Sequence, residues 1–232
     1  CNSVLVFSRS VDIDPGQPLG GYVGERLSNA GTDALELNGL CFTDPQSGRQ
    51  VELCTIDALY AGDLVDDDAG ANRHRIFSAS HTHFAPMLDS RKPQLGTVSI
   101  SALAAWRKAL RDVQRRSVEP SQCTVWRAEV PIPIYRRFDV PDSAINRLLT
   151  RWAGMFPNPK QPIDRNLYLF ELGVPGQTDA VIMLHACHPV SRADRGRVSA
   201  DYIGALRAAV RGRFGDVPCL FLLGCSGDLR PD

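Results

Sequence analysis

Four of the five histidines lie in two short clusters whose spacing suits a metal site. The first cluster is His81-Thr82-His83, and the second contains His185 and His188. Each cluster follows an apolar, strand-like segment, and the sites of α/β proteins form at the carboxyl ends of strands. Imidazole nitrogens are zinc ligands, and zinc with an open coordination position activates water for hydrolysis. The clusters therefore predict a metal site at the ends of these strands.

The spacing within each cluster indicates which histidines share one pocket. Side chains two residues apart on a strand project to the same face, so His81 and His83 are expected to face one pocket. Side chains three apart project to opposite faces, so we expect only one of His185 and His188 to reach it. We assign His188 to the pocket because Pro189 ends the strand directly after it, and His185 to a hydrogen-bonded position in the sheet.

One carboxylate interrupts an apolar segment and needs a partner. Asp57 lies within the apolar residues 53–59, and a buried carboxylate without a cation, a metal or hydrogen-bond donors is costly. Exposure at the strand end and a catalytic role beside the metal both remain open for it. Asp201 and Asp228 have local explanations, the first in the opening turn of a helix and the second in a glycine-rich turn.

The segments that must position these residues are strands interspersed with helices. This order predicts a single α/β domain over residues 1–232, with mixed layers of strands and flanking helices and the site at the carboxyl ends of strands. Ser199 is expected to cap the last helix. The predicted strands cover residues 4–13, 35–42, 51–59, 75–80, 123–134, 167–174, 180–187 and 219–223, and the predicted helices cover residues 99–116, 144–155 and 199–214.

Composition excludes several classes of protein. The chain has 26 Lys and Arg against 26 Asp and Glu, so no excess of charge points to a nucleic acid or to a membrane surface. A hydrophobic share of 44% is typical of a folded domain. No apolar run approaches the roughly 20 residues of a membrane-spanning helix, and no signal-peptide pattern is present. We expect no nucleic-acid partner and no transmembrane segment.

The cysteines favour a reducing compartment. Their number, seven, is odd, and no two form a C-x-x-C pair, so buried free thiols and a cytoplasmic location are expected. Cys1-Asn2-Ser3 leaves a secreted protein or a lipoprotein as the alternative.

Five ordered motifs together resemble the N-terminal catalytic domain of the neutral/alkaline ceramidases. Each motif is short, but their common order over nearly the whole chain makes the resemblance specific. The motifs are Gly20-Gly21-Tyr22, Ser78-Ala79-Ser80-His81-Thr82-His83 with Ala85-Pro86, His188-Pro189-Val190-Ser191, Ser199-Ala200-Asp201-Tyr202-Ile203-Gly204 and Gly224-Cys225-Ser226-Gly227-Asp228.

The resemblance implies a zinc amidase that cuts the amide bond of an N-acyl sphingoid base. In that family, the positions of His81 and His188 bind zinc, and the position of His83 lies near the scissile amide. Gly21 and Tyr22 are implied to contact the substrate. A Glu and a Tyr complete the family's zinc site beyond residue 232, so we expect the domain to be incomplete at its carboxyl end.

Two positions depart from the family's pattern. A substrate-contacting Arg of an Asn-Arg motif finds its nearest match in Arg136, which follows Tyr135 instead of Asn. The family's Gly-Asp-x-Ser-Pro-Asn motif has Arg230 in place of its serine. A guanidinium near the pocket favours a carboxylate or phosphate, so we predict weak turnover of simple ceramide and better turnover of an anionic or sugar-bearing N-acyl compound. The alternative is that Arg230 faces solvent or pairs with Asp228 or Asp232.

Two other functions remain to be weighed against a zinc amidase. The altered Gly-Asp motif and the missing ligands would also suit a non-catalytic relative with an incomplete metal site. A metallophosphatase using the same histidines and aspartates is least favoured, because the chain lacks the run of Asp and Asn ligands typical of two-metal sites.

Overall fold

The computed structural model describes residues 3–65, 70–137 and 157–232. The predicted helix over residues 144–155 lies outside these ranges. The described strands are β1 (Val4–Val11), β2 (Leu35–Thr43), β3 (Gln50–Ile56), β4 (Arg73–Ala79), β5 (Arg116–Val118), β6 (Gln122–Glu129), β7 (Pro133–Tyr135), β8 (Asn166–Val174), β9 (Gln177–His185), β10 (Cys219–Leu223) and β11 (Leu229–Pro231), and the α-helices are α1 (Ile100–Asp112) and α2 (Tyr202–Phe214).

The strands form two mixed sheets and a short ribbon. One sheet has the order β4-β3-β2-β1-β5, the other has the order β10-β9-β8-β6, and β11 pairs with β7. The pairs β3–β4 and β9–β10 are parallel, whereas all other pairs are antiparallel. The first histidine cluster follows β4 in the first sheet, and the second begins at the last residue of β9 in the second sheet; each strand belongs to a parallel pair. The fold is α/β, as the sequence predicts.

Each sheet packs one face against a helix. In the first sheet, Phe7 and Leu37 lie in one buried cluster with Trp106 of α1. In the second sheet, Met183 of β9 packs with Ile203 of α2. The strand alternation that places these residues on one face turns their neighbours to the other face.

The remaining faces of the two sheets contact each other. Val6 and Leu40 of the first sheet lie in one buried cluster with Leu220 and Ile182 of the second. The molecule therefore has the layer order helix, sheet, sheet, helix. This contact between the sheets fixes the distance between the two histidine clusters, because each cluster belongs to a different sheet.

The long predicted elements within the described residues are confirmed, with bounds that differ by a few residues. The hydroxyl of Ser99 accepts a hydrogen bond from the backbone N–H of Ala102, 3.1 Å away, and α1 begins after this cap. The helix ends at Asp112 and β5 follows, where the sequence predicts helix as far as residue 116. The single strand predicted over 123–134 is two strands, β6 and β7, because the prolines at 131 and 133 interrupt it.

The start of α2 differs from the prediction. The helix begins at Tyr202, and Asp201 precedes it in a left-handed conformation with φ 59°. Ser199 does not cap this helix, because its hydroxyl accepts the backbone N–H of Asp201, which precedes the helix, over 3.0 Å, and it donates to the carboxylate of Asp33 over 2.8 Å. The carboxylate of Asp201 turns away from the helix and accepts hydrogen bonds from Ser191.

The cysteines of the described residues carry free thiols. Cys41, Cys54, Cys187 and Cys219 are buried, as predicted, whereas Cys123 and Cys225 are exposed. Burial raises the pKa of the Cys187 thiol to about 12, so that thiol stays protonated. No helix in the described ranges has the length and hydropathy that spanning a membrane requires.

Candidate metal centre

Three imidazoles from two sheets converge at one point. His81, His83 and His188 each offer one ligand nitrogen, and these nitrogens lie within 4.8 Å of one another. The ring centroids are 4.8 to 5.2 Å apart. His188 is buried, and His81 and His83 are half-buried as residues. The arrangement presents three possible metal ligands to one small volume.

A turn, and not a strand, brings His81 and His83 together. β4 ends at Ala79, and His81 has the left-handed φ of 64°, which is uncommon for a residue with a Cβ. Its backbone N–H donates to Ala58 O over 2.9 Å, and its Nδ1 donates to Leu59 O over 2.8 Å. The alternation argument was therefore wrong in its reason, because the two residues lie beyond the strand.

His188 likewise lies beyond the strand that precedes it. β9 ends at His185, and His188 Nδ1 donates to the carbonyl oxygen of Ser226 over 3.1 Å. His185 is buried in the sheet, and its Nδ1 donates to Asn166 O over 3.1 Å. His185 is not a member of the imidazole group, as the sequence predicts.

The side chain of His83 has no hydrogen-bond partner. Both ring nitrogens are buried and unpaired in the described residues. The ring packs on the backbone of Gly21, where a Cβ would lie 2.6 Å from His83 Nδ1. Tyr22 contacts the ring edge-on, with the centroids 5.0 Å apart. Gly21 and Tyr22 thus form the wall behind His83.

The three imidazoles are neutral at physiological pH. Burial lowers the pKa of His83 to about 3 and that of His188 to about 4, and the nearby Arg136 charge acts in the same direction. The pKa of His81 is also lowered, chiefly by burial. Because a metal ligand must offer an unprotonated nitrogen, these rings suit metal binding without a prior loss of protons.

Hydrogen bonds connect the segments that carry the histidines. Thr82 Oγ1 donates to Ser199 O over 2.8 Å, and Ser199 N donates to Phe84 O over 2.8 Å. The carboxylate of Asp201 accepts from the N–H and the hydroxyl of Ser191, at 2.9 and 2.8 Å. Residues 199–201 therefore hold both the turn at His81 and the loop after His188. Sequence reasoning did not assign this role to Thr82 or Ser199, although a hydroxyl between two histidines was visible.

Arg136 supports the loop that orients His188. Its Nε and Nη2 donate to the carbonyl oxygen of Gly227, at 3.0 and 2.7 Å. The backbone N–H of Arg136 also donates to Asp228 O over 2.8 Å. The neighbouring carbonyl of Ser226 receives the His188 Nδ1–H, so Arg136 acts one residue away from a ligand contact.

A second arginine supports the segment around Tyr22. Arg26 donates to the carbonyl oxygens of Gly20, His83 and Arg195, at 2.6, 3.0 and 2.6 Å. The guanidinium carbons of Arg26 and Arg195 lie 4.5 and 4.8 Å from the centroid of the Tyr22 ring, a cation–π geometry. Nothing in the sequence pattern indicated that Arg26 would have this role.

Asp57 has a partner other than the imidazoles. Its carboxylate is fully buried and forms a bidentate ion pair with Arg207 of α2, at 2.5 and 2.9 Å. Oδ2 also accepts the N–H of Glu36 at 2.9 Å. Asp57 is not a member of the imidazole group. The guanidinium satisfies the buried charge that the sequence associated with the metal.

The residues present fit a zinc ion. Two imidazoles have Nδ1 bonded to a backbone carbonyl, which orients the ring and leaves Nε2 free, the arrangement seen around metal-bound histidines. The unpaired nitrogens of His83 are buried polar atoms that lack a partner. Imidazole nitrogen is a common zinc ligand, and His81 and His188 present two such nitrogens already oriented for binding.

Comparison with known proteins relates the fold to ceramidases. No protein-family model matches the chain, and no curated protein does. Among solved structures, one titled as a ceramidase complexed with C2 has a similar fold, with a TM-score of 0.65 and 15% sequence identity. The alignment covers 100% of this chain and 39% of the ceramidase chain. The neutral ceramidase from Pseudomonas aeruginosa is similar with a TM-score of 0.64 and 14% sequence identity. That alignment covers 100% of this chain and 40% of the ceramidase chain.

The chain therefore spans about two fifths of the length of the ceramidase structures it matches. At this level of identity, the likeness concerns the backbone arrangement. The chain has a ceramidase-like fold.

Proposed function

We propose that this chain is the catalytic part of a zinc-dependent amidase that acts on ceramide or a related N-acyl compound. The observation that carries the proposal is the group of neutral imidazoles at His81, His83 and His188, in a fold shared with ceramidases. The reaction adds water to the amide and yields a carboxylic acid and an amine.

His81 and His188 are the metal ligands in this proposal. The backbone carbonyls of Leu59 and Ser226 fix Nδ1–H in each ring, so each Nε2 lone pair points away from the protein backbone. Zinc bound there would polarise an amide carbonyl and lower the pKa of water to ~7.

His83 is the residue that assists the reacting amide. Its neutral ring carries one N–H and one lone pair, and neither is used by the described residues. The N–H can donate a hydrogen bond to the carbonyl oxygen as negative charge develops, or the lone pair can accept a proton from the attacking water and pass that proton to the leaving nitrogen. The wall formed by Gly21 and Tyr22 fixes the ring for this role and lies where a substrate would contact it.

Arg136 contributes charge and position. Two of its donors hold Gly227 O, which leaves Nη1 for a substrate oxygen. Its positive charge lowers the pKa of all three imidazoles further, in addition to the larger effect of burial. Asp57 has a structural role in this proposal, because its charge is already paired with Arg207.

The test is zinc content together with amide hydrolysis. The purified full-length protein is expected to contain about one zinc per chain and to release fatty acid from an N-acyl sphingoid base. His81→Ala and His188→Ala should lose most of the zinc and the activity, because a site with few ligands cannot replace one locally. His185→Gln is the matched control and should keep both, since His185 lies outside the imidazole group.

Three outcomes would contradict parts of this proposal. Unchanged zinc content in both alanine variants would reject the assigned ligands. Full activity after chelation and removal of the metal would reject the zinc dependence. Zinc binding without hydrolysis of any N-acyl substrate would favour a non-catalytic relative.

A further inference from the structure

Two arginines lie side by side on the ribbon next to the imidazoles. In the antiparallel pair β7–β11, Arg230 is opposite Ile134, and the register continues so that Arg136 N–H donates to Asp228 O. Arg136 and Arg230 are thus diagonal neighbours, and residues in this relation point to the same face of a ribbon. Long side chains at such positions reach each other.

Arg230 has no anionic partner among the described residues. Its Nε is buried without a hydrogen bond. Asp228, the nearest acid on the same ribbon, forms an ion pair with Arg137. The expectation that Asp228 neutralises Arg230 is therefore not met. A partly buried guanidinium without a counter-charge is costly unless an anion completes its surroundings.

Arg136 adds a second positive charge beside that of Arg230, and its charge acts on the imidazoles of the candidate centre. Burial lowers the pKa of Arg136, and the neighbouring charges of Arg137 and Arg230 act in the same direction, against the attraction of Asp228. Nε and Nη2 of Arg136 bind the neutral carbonyl of Gly227, and no acid in the described ranges forms a direct ion pair with its guanidinium.

Acids near the centre are otherwise engaged. The carboxylate of Asp201 accepts three hydrogen bonds from the loop at Ser191 and Arg192. On the opposite side of the centre, Arg26 and Arg195 stack on Tyr22 and add positive charge. The surroundings of the three neutral imidazoles are therefore cationic.

We propose that Arg230, with Arg136, binds a carboxylate carried by the substrate, so that the preferred substrate is an N-acyl compound with an anionic amine portion. This inference rests on the proposed function and names its substrate class. A planar guanidinium matches a carboxylate in bidentate fashion, and the anion supplies the counter-charge that Arg230 lacks. Neutral ceramide would leave that guanidinium unpaired.

The test compares two substrates that differ in one group. N-lauroylglycine and N-lauroylethanolamine share the acyl chain and the amide, but the first ends in a carboxylate and the second in a hydroxyl. With the full-length protein, kcat/KM and the Kd from calorimetry should each favour the glycine conjugate by about 10- to 100-fold, the range for a hydrogen-bonded charge. Arg230→Gln should remove this preference, because the variant lacks the guanidinium that pairs with the carboxylate.

Arg127→Gln is the control for net charge. Arg127 is exposed on β6, which is not part of the ribbon, and its loss should leave the preference intact. Equal Kd values for the two compounds on the native protein, or an unchanged preference in Arg230→Gln, would overturn the inference. Tighter binding of the carboxylate without hydrolysis of either compound would support the inference and count against the proposed function alone, because the calorimetric reading does not depend on turnover.

Discussion

The hydroxyl of Thr82 lies 2.8 Å from the carbonyl oxygen of Ser199 and donates a hydrogen bond to it across 117 residues of sequence. Thr82 stands between the two histidines of the first cluster. Ser199 leads into Asp201, which holds the loop after His188. This one bond therefore joins the two halves of the candidate metal centre.

Removal of that hydroxyl should loosen the centre without unfolding the protein. We expect Thr82→Val, which keeps the shape of the side chain, to weaken zinc binding about 10- to 100-fold, the usual cost of losing a group that orients metal ligands. Competition with a chelator of known affinity measures the change. Thr82→Ser restores the hydroxyl and should restore most of the affinity. Equal affinity in Thr82→Val and the native protein would show that the bond does not position the imidazoles.

A side chain at Gly21 should disturb His83 by direct contact, and this effect can be separated from backbone strain. Gly21 has φ 102°, and an added Cβ would meet His83 Nδ1 at 2.6 Å. Gly16 has φ 82° with nothing within 4 Å of the same added atom. Both alanine variants should lose about 1 to 2 kcal/mol of stability from the left-handed backbone. Only Gly21→Ala should also lower amide hydrolysis, and a similar loss of activity in Gly16→Ala would contradict the contact argument.

His83 and the two assigned ligands should respond differently to substitution. We expect His83→Gln to retain most of its zinc while kcat falls about 100-fold or more, the typical contribution of a proton-transfer group. Metal analysis and steady-state kinetics on the same preparations measure both effects. Loss of zinc equal to that of His81→Ala would instead make His83 a third ligand.

Asp57 should affect stability more than chemistry. Asp57→Ala leaves the guanidinium of Arg207 buried without its partner, which typically costs about 3 to 5 kcal/mol. Urea unfolding measures the loss. Asp112→Ala, which removes an exposed i,i+4 pair with Lys108, should cause no measurable change. If Asp57→Ala instead kept the native stability but lost activity, the result would indicate a catalytic role for Asp57.

Acid should weaken the fold through Glu52. Burial opposes ionisation of this carboxyl, but the hydrogen bond from Arg75 and the charges of Arg115 and Arg73 outweigh it, so its pKa lies below the ordinary value. The stabilisation is therefore present above the unfolded-state pKa of about 4.3 and is lost as the pH falls through the folded-state pKa. Between pH 6 and pH 3, the free energy of unfolding should fall less steeply for Glu52→Gln than for the native protein. Parallel curves for the two proteins would refute this assignment.

Strand and helix patterns were predictable where they are local. The apolar run in β9 and the helical spacing in α1 are visible in the residues themselves, and so are the two histidine clusters. The left-handed turn at His81 was not visible, because contacts with Ala58 and Leu59, distant in sequence, impose it. Short strands such as β5 and β11 carry too few residues to show a period.

The candidate site shows the same division between local and distant causes. Residue type identified His81 and His188 as possible ligands, because imidazoles after strands are rare and informative. The partner of Asp57 could not be predicted, since Arg207 is 150 residues away and only the packing of α2 brings it close. Ser199 looked like a helix cap because its short-range context favoured one, and its bond to Asp33 spans 166 residues.

The location of the histidines on separate sheets has a consequence for how the chain reaches its native state. The turn at His81 follows β4, whereas His188 follows β9, and each strand belongs to a parallel pair that requires a long connection. Contacts between residues far apart in sequence form late, because the entropy of closing large loops must be lost before they give any stabilisation. The three imidazoles therefore come together only after both sheets have formed and packed against each other. Metal binding by all three segments would then indicate that folding is complete.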